Sequence, residues 1–486
     1  GDSASVDTGD ITKSLRFRAS GSTYMSRTPS GATNRDTWTF SCWVKRGELG
    51  TDQVLFAAGT TDTTRTLIYF DSASNRVYVL NNTGAGYYGR YANAVCRDPS
   101  GHMNVMVAMD TTQATAADRV KISINGVAQA TTAPAGEIPQ NTDTYINSTT
   151  AHYIGRNSSA AADYLDGYLS RICFVDGQAL TPSSFGYLNT EINEWVTLSR
   201  SACKAVVDAG GTNSFMLDFE DGTSLTTLGN DYSTKNNDWT LTNHSLTAGV
   251  TYDWMEDRPG NSYAVLNPLY PSAANITNGN LSSGTTAARA TMNSTAIDSQ
   301  WFVTAGASAV TAGVIDDSGS TNTTTVTANK VFGFKMTAAG ALSYKNVTDA
   351  GSWTSIATGL TGNRWPYSVT QAASWNFGQQ PLPEALDTGF LALCQANLTS
   401  EVVTVSGSFT GNLAADGPFV WLNGVPKTLT INGNAVTFGT HADKTAGGFK
   451  LRTASSSYNN TGSNTYTATI DSNRQNCFKY RNAQGN

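Results

Sequence analysis

Apolar and polar residues alternate with a period of two along most of the chain. The run Thr37-Trp38-Thr39-Phe40-Ser41-Cys42-Trp43-Val44-Lys45 is the clearest case. Ser14-Leu15-Arg16-Phe17-Arg18, Gln53-Val54-Leu55-Phe56, Thr66-Leu67-Ile68-Tyr69-Phe70 and Arg76-Val77-Tyr78-Val79-Leu80 follow the same rule. Successive side chains of a strand point to opposite faces, so this period predicts β-strands with one buried face. Asn104-Val105-Met106-Val107-Ala108-Met109, Val120 to Val127, His152-Tyr153-Ile154-Gly155 and Gly167 to Val175 continue the series. Asn125-Gly126 predicts a hairpin, because both residues tolerate the positive φ of a type I′ turn. Short strands separated by turn residues predict an antiparallel sandwich over residues 1–190.

The rhythm changes three times after that. Residues 191–274 read as an acidic connector with sheet-edge strands, and 191–260 alone hold eleven acidic and four basic groups, a net of −7. Here Phe215-Met216-Leu217-Asp218-Phe219-Glu220-Asp221-Gly222 reads as a strand running into a turn, and Trp239-Thr240-Leu241 as a short strand. Residues 275–398 read as a second sandwich. In it Val331-Phe332-Gly333-Phe334-Lys335-Met336 pairs with Ala341 to Val347 around Ala338-Ala339-Gly340. Residues 399–486 read as a small third β domain, and 401–486 carry seven basic against four acidic groups. Phe419 to Val425 is expected to pair with Lys427-Thr428-Leu429-Thr430-Ile431, with turns at Asn423-Gly424 and Asn432-Gly433. The predicted fold class is all-β, in tandem antiparallel β-sandwiches.

Composition narrows the function more than the fold. Charged residues are 14% of the 486, against a usual ~25%, and the net charge is −6. Phosphate binding needs dense Lys and Arg, so nucleic acid is not the expected partner. No apolar run approaches the ~20 residues of a membrane-spanning helix, and no signal-peptide core opens the sequence. The six cysteines, Cys42, Cys96, Cys173, Cys203, Cys394 and Cys477, show no CxxC spacing. Several lie in apolar runs, which predicts free buried thiols in a protein assembled in a reducing cytoplasm.

Catalytic signatures are scarce. Four histidines, His102, His152, His244 and His441, show no His-Glu-x-x-His spacing, and His152 reads as a hydrogen-bonded structural residue. There is no nucleophile elbow and no phosphate loop. Asp218, Glu220 and Asp221 form the nearest acidic cluster, with Asp218 and Glu220 expected on one strand face. A solvated turn is the favoured reading there and a Ca²⁺ site the alternative. Asp253, Glu256 and Asp257 read as a solvated loop. No catalytic residue and no cofactor is assigned. Tyr87, Tyr88, Arg90 and Tyr91 follow Gly84-Ala85-Gly86 and read as a glycine-rich loop. Tyr rings stack on sugar faces while hydroxyl and guanidinium groups hydrogen-bond, which makes the four candidates for glycan contact. Packing against the sheet edge or a neighbouring subunit is the favoured reading of the segment, with glycan contact the alternative. Trp353, between Gly351-Ser352 and Thr354-Ser355, is a further candidate expected to be exposed.

The first sandwich resembles the concanavalin A-like, or laminin G-like, jelly roll. The resemblance rests on Ser14 to Phe17 with Tyr24-Met25-Ser26-Arg27-Thr28-Pro29, Thr37 to Gly47, the hairpin Val120 to Val127, Tyr153-Ile154-Gly155 and Asp166-Gly167-Tyr168-Leu169. The closing run Phe174-Val175-Asp176-Gly177-Gln178-Ala179-Leu180-Thr181-Pro182 is similar to a version common in tailed-bacteriophage structural proteins, as is the connector Tyr252 to Leu269. His102-Met103-Asn104 departs from the Trp-His often found in that family, which weakens the transfer of any site. The second sandwich is similar to the SPRY type, and the last domain resembles terminal modules of phage fibres. The resemblance implies a non-enzymatic virion structural protein of tail-fibre type, assembled in the host cytoplasm among other virion proteins. It further implies a homo-oligomer, a trimer first, contacting host-surface polysaccharide. A capsid decoration or adaptor protein, or a secreted bacterial glycan-binding or glycan-cleaving protein, are the alternatives. Two charge-poor runs, Thr66 to Phe70 and Phe419 to Leu422, would need a partner chain if either formed a sheet edge.

Overall fold

The computed structural model describes residues 11–134, 136–189, 194–270, 275–295, 297–369, 371–398, 402–410, 416–421, 426–437, 442–445, 448–452 and 463–471. Two compact units result: Ser5–Tyr187 with Trp195–Asn397, and one built mainly from Leu398–Asn486. The alternating runs of the first unit pair into two antiparallel sheets. In the first sheet the order is Val127–Ala128, Val120–Ile124, Met103–Asp110, Thr37–Arg46, Gly167–Asp176, Ser14–Phe17 and Trp254–Met255, and Phe215–Leu217 also pairs with Gly167–Asp176. In the second it is Thr131–Thr132, Tyr87–Ala92, Val77–Thr83, Thr64–Phe70, Gln53–Thr61, His152–Ile154, Tyr24–Arg27 and Thr240–Thr242. The predicted hairpin forms at Asn125-Gly126, both at positive φ.

Between the sheets, alternate residues fill one core. Trp38, Phe40, Cys42 and Val44 enter it from one sheet, and Phe56, Ile68, Phe70, Val77 and Val79 from the other. Phe40 and Phe56 stack across the gap with ring centroids 4.9 Å apart. Burying each such ring contributes about 1.5–3 kcal/mol, which fixes which face of every strand turns inward.

The connector corrects the expectation of a solvated acidic loop, because its carboxylates have partners in distant strands. Asp253 and Asp257 are both 0% exposed. Arg16 and Arg18 each donate through Nε to Asp253 Oδ1, at 3.1 and 2.8 Å. Lys45 Nζ donates to Asp257 Oδ2 at 2.6 Å and to the Tyr263 carbonyl at 2.8 Å. Asp166 accepts from the backbone N–H groups of Asn278 and Gly279, at 2.9 and 2.7 Å. The connector also carries a helix, α1 (Arg200–Asp208), capped by the Ser199 side chain accepting from the Ala202 N–H. Its strand Thr240–Thr242 and the strand Trp254–Met255 extend one edge of each sheet.

In the second sandwich a six-stranded sheet (Ser282–Ser283, Ala373–Asn376, Ser299–Ala305, Val331–Met336, Leu342–Asn346, Thr354–Ala357) accompanies a four-stranded one (Ala288–Arg289, Trp365–Val369, Val310–Ile315, Thr321–Val326). The expected hairpin is present, with Met336 opposite Leu342 and Gly340 at a φ of 89°.

Pairing in the last unit differs from the expected meander. Asp416–Trp421 pairs with Gly448–Arg452, whereas Pro426–Ile431 pairs with Ser463–Asp471 in a different sheet. Apolar burial explains it: Val420 from one sheet meets Leu429, Ile431, Ala468 and Ile470 from the other, and a single flat meander would leave that face in water. Asn432-Gly433 does turn as expected, at φ 51° and 81°. Asn423-Gly424 and Cys477 lie outside the described residues. Thr64–Phe70 is an inner strand, so it presents no open edge. Asp416–Trp421 has one described partner strand and ends its sheet.

Candidate binding face

The segment read as a glycine-rich loop is a strand, Tyr87–Ala92. Gly89 belongs there for a packing reason. A Cβ at that position would meet the Tyr78 ring at 2.6 Å, so the missing side chain makes room for the neighbouring ring. Strand alternation then divides the four candidates between two faces. Tyr87 stands opposite Asn82 and Tyr91 opposite Tyr78, on the outward face of the second sheet. Tyr88 stands opposite Asn81 and packs against the core, and Arg90 stands opposite the core residue Val79. Arg90 is only 6% exposed, pairs with the Glu137 carboxylate and donates through Nε to Thr131 Oγ1 at 3.0 Å. Its donors are already engaged within the fold.

Register places four further tyrosines on the outward face. Tyr69 is opposite Tyr78, and Tyr153 is opposite both Ala57 and Ser26, with Tyr24 two residues before Ser26 on the same strand. Ring centroids lie 5.3 Å apart for Tyr69–Tyr78, 5.7 Å for Tyr78–Tyr91 and 5.9 Å for Tyr24–Tyr153. Leu67, Leu80 and Ala57 form the floor between them. Tyr87 is 45% exposed and neighbours Tyr69, which is 8% exposed. Burial, then the neighbouring Tyr87, Asp71 and Tyr91, push the Tyr78 hydroxyl up to about 12. The Tyr69 and Tyr78 hydroxyls therefore stay protonated and act as neutral donors and acceptors.

Two guanidinium groups complete the face. Arg156 lies 4.3 Å from the Tyr153 ring centroid and 4.8 Å from that of Tyr24, and Arg76 lies 5.0 Å from that of Tyr91. Tyr164 joins the patch beside Tyr24, at 6.3 Å. It also lines a cleft of about 280 Å³ with Ala19, Glu48, Thr51, Asp52 and Asp163. Burial first, and then the Asp166 carboxylate, raise the Glu48 carboxyl above its usual range. Aromatic planes, cations and carboxylate acceptors are the groups that recognise the faces and hydroxyls of a sugar. Sequence reasoning missed Tyr69 and Tyr78, since each lies within an apolar run that reads as core. Pairing their two strands would have set them side by side.

The remaining candidates are structurally engaged. The strand Phe215–Leu217 ends before Asp218, and Phe219 takes a φ of 58°, so Asp218 and Glu220 do not share a strand face as expected. Asp218 is buried and accepts from Arg200 Nε at 2.6 Å, which corrects the solvated reading for that residue. Glu220 accepts from the Thr12 N–H at 3.0 Å, and Asp221 from the Thr223 N–H and hydroxyl at 3.0 and 2.7 Å. Among the described residues no group of three or more His, Cys, Asp or Glu side chains is placed to hold a metal ion. Trp353 is half-buried rather than exposed, with Lys335 and Lys345 at 4.2 and 4.9 Å from its ring. Each lysine also pairs with a carboxylate, Asp387 or Glu384.

Comparison with known proteins agrees with this jelly roll. No curated protein matches the chain. Among solved structures, a putative carbohydrate binding protein from Bacteroides ovatus is 14% identical, with a TM-score of 0.30, over 48% of this chain and 58% of its own length. Domains LG4-5 of the mouse laminin alpha1 chain are 9% identical, with a TM-score of 0.26, over 81% of this chain and 89% of theirs. Tailspike protein 2 of bacteriophage CBA120, in its enzymatically active domain, is 11% identical, with a TM-score of 0.25, over 33% of this chain and 25% of its own. The chain thus spans less than two thirds of the length of the first of these. Residues 19–184 match the family model of the concanavalin A-like lectin/glucanases superfamily, and the chain carries a laminin G-like domain there.

Proposed function

We propose that this chain is a non-enzymatic glycan-binding protein of a tailed-phage virion, displayed as a homo-oligomer at the particle surface. The observation that carries the glycan reading is the outward tyrosine face, with Tyr24, Tyr69, Tyr78, Tyr87, Tyr91 and Tyr153 on one sheet surface beside Arg76 and Arg156. Tyr69 and Tyr78 are 8% exposed and back the rings that remain open, Tyr24, Tyr87, Tyr91 and Tyr153, and contiguous aromatic surface of this kind is a mark of interaction sites. The virion reading is supported by the sequence resemblance over residues 12–182 and 252–269. Oligomerisation serves weak sugar contacts, because linked sites gain about 10²–10⁴-fold in avidity.

Host-surface polysaccharide binding by the wild type and by Tyr87→Ala/Tyr91→Ala tests the reading. Both side chains are at least partly exposed, so the variant keeps its fold, and about tenfold weaker binding is expected from two lost stacking contacts. Equal binding by wild type and variant removes the tyrosine face from consideration. Incubation with the same polysaccharide is expected to release no reducing ends. Release that disappears in Glu48→Gln would instead assign hydrolysis to the neighbouring cleft.

A further inference from the structure

Helix α1 lies against the outward surface of the first sheet, over Gly167–Asp176 and Phe215–Leu217. Its inner side carries Cys203 and Val207, one turn apart, into an apolar layer with Met106, Cys173, Phe185 and Met216. Inside that layer Cys173, on the strand beneath, and Cys203, on the helix above, are close neighbours. Cys203 Sγ also lies 3.8 Å from the Phe185 and Leu198 carbonyls and 3.9 Å from Thr197 Oγ1. It occupies the fourth position of α1, near the positive end of the helix dipole.

The chemistry of this pair differs from that of the other described cysteines. Burial raises the thiols of Cys42 and Cys394 and pushes Cys96 up to about 11. Cys203 moves the other way, to about 7: the neighbouring Cys173 thiol, the Arg171 guanidinium and the Thr197 hydroxyl outweigh burial. Arg171 is held beside it by a bulge in Gly167–Asp176, where its φ is 37°, and donates to the Leu198 carbonyl at 2.9 Å. A thiol with a resolving partner in contact, a cation beside it and a short helix as its cover is arranged for exchange rather than for packing alone.

We propose that Cys173 and Cys203 form a reversible dithiol that reacts with small-molecule disulfides and closes to an intrachain disulfide, tying α1 to the sheet. The Cys203 thiolate attacks one sulfur of the reagent, forming a mixed disulfide and expelling one thiolate. Cys173 then gives up its proton and attacks the Cys203 sulfur, and the second thiolate leaves. Two S–H bonds are lost and one S–S bond forms, while the reagent is reduced to two thiols. Access comes from local opening of α1, whose nine residues contact the fold along one side. The loop so closed, residues 174–202, carries the hairpin of Gly186–Asn189 and Glu194–Thr197.

The test uses the full chain, reduced, freed of reductant and kept folded with oxidised glutathione. Intact mass is expected to fall by two hydrogens. A peptide map without reduction is expected to join the Cys173 and Cys203 peptides, and Cys42, Cys96 and Cys394 should stay alkylatable after unfolding. Cys173→Ser is expected to stop at a glutathione adduct on Cys203. A folded wild type that forms neither adduct nor cross-link over a day overturns the proposal. So does a cross-link from Cys203 to any other cysteine, and neither result depends on the variant folding.

Discussion

Substituting His152 isolates one ionisation in the acid sensitivity of the jelly roll. The ring is buried in the strand His152–Ile154, 5.9 Å from Phe56. Nδ1 lies 2.8 Å from the Thr150 carbonyl, which can only accept, so Nδ1 carries the proton. Nε2 accepts from the Asn147 N–H at 3.0 Å. A second proton on Nε2 would face that donor inside a dry core, and burial holds the ring down to about 4, with Arg27 adding to the effect. The unfolded chain titrates near 6.5, so between about pH 6.5 and 4 it binds the proton that the folded chain refuses. Stability is therefore full above pH 6.5 and falls with pH through this window, by about 2.5 kcal/mol between pH 7.5 and 4.5 for this group alone. His152→Gln supplies a donor for Thr150 and an acceptor for Asn147 without a titrating site. Urea unfolding at both pH values, with hydrogen exchange of the Gln53–Thr61 and His152–Ile154 amides as the local readout, measures the difference. The variant is expected to lose about 2–3 kcal/mol less than wild type on acidification. Equal losses, within about 0.5 kcal/mol, would refute the assignment of a neutral, hydrogen-bonded His152.

Two other outcomes follow from the packing. Asp253→Asn leaves Arg16 and Arg18 buried without a counter-charge and is expected to cost about 3–5 kcal/mol, read as a lower urea midpoint for the first unit. Removing residues 399–486 is expected to leave that unit with its own cooperative melting transition, since its two sandwiches and connector share one set of contacts; an insoluble product would show that the boundary lies elsewhere.

Strand positions were legible in the sequence because the jelly roll has one dominant core, and alternation reports the face that enters it. What covers the other face was not legible. Arg16, Lys45 and Tyr168 sit at outward positions that alternation assigns to water, yet all three are fully buried under the connector and the start of the second sandwich. Their partners, Asp253, Asp257 and Gly279, lie more than a hundred residues away, beyond the reach of any local pattern. The tyrosine face failed to appear for a related reason. Gly84, Gly86 and Gly89 gave the Tyr87 segment the look of a loop, when Gly89 is an inner-strand glycine making room for Tyr78. Tyr87 and Tyr91 were visible as candidates; which of their neighbours pointed the same way required the register.

The buried charges also bear on which surface meets a ligand. A buried ion pair adds little stability over a well-packed apolar pair, but breaking one is costly, so it discriminates between alternative dockings. Arg16 and Arg18 on Asp253 and Lys45 on Asp257 bind the connector to one edge and outer surface of the first sheet, and Asp166 on the backbone at Asn278 and Gly279 binds the start of the second sandwich beside it. Helix α1 covers more of that surface with the layer around Cys173 and Met216. A jelly roll has two outward sheet faces, and this chain spends several of its few charged residues occupying the first. On the reading proposed above, glycan contact falls to the second, whose Tyr87 stands 45% exposed among partly open rings and guanidinium groups. Binding that survives Tyr87→Ala/Tyr91→Ala yet weakens in a variant of the connector would reverse this division of the two faces.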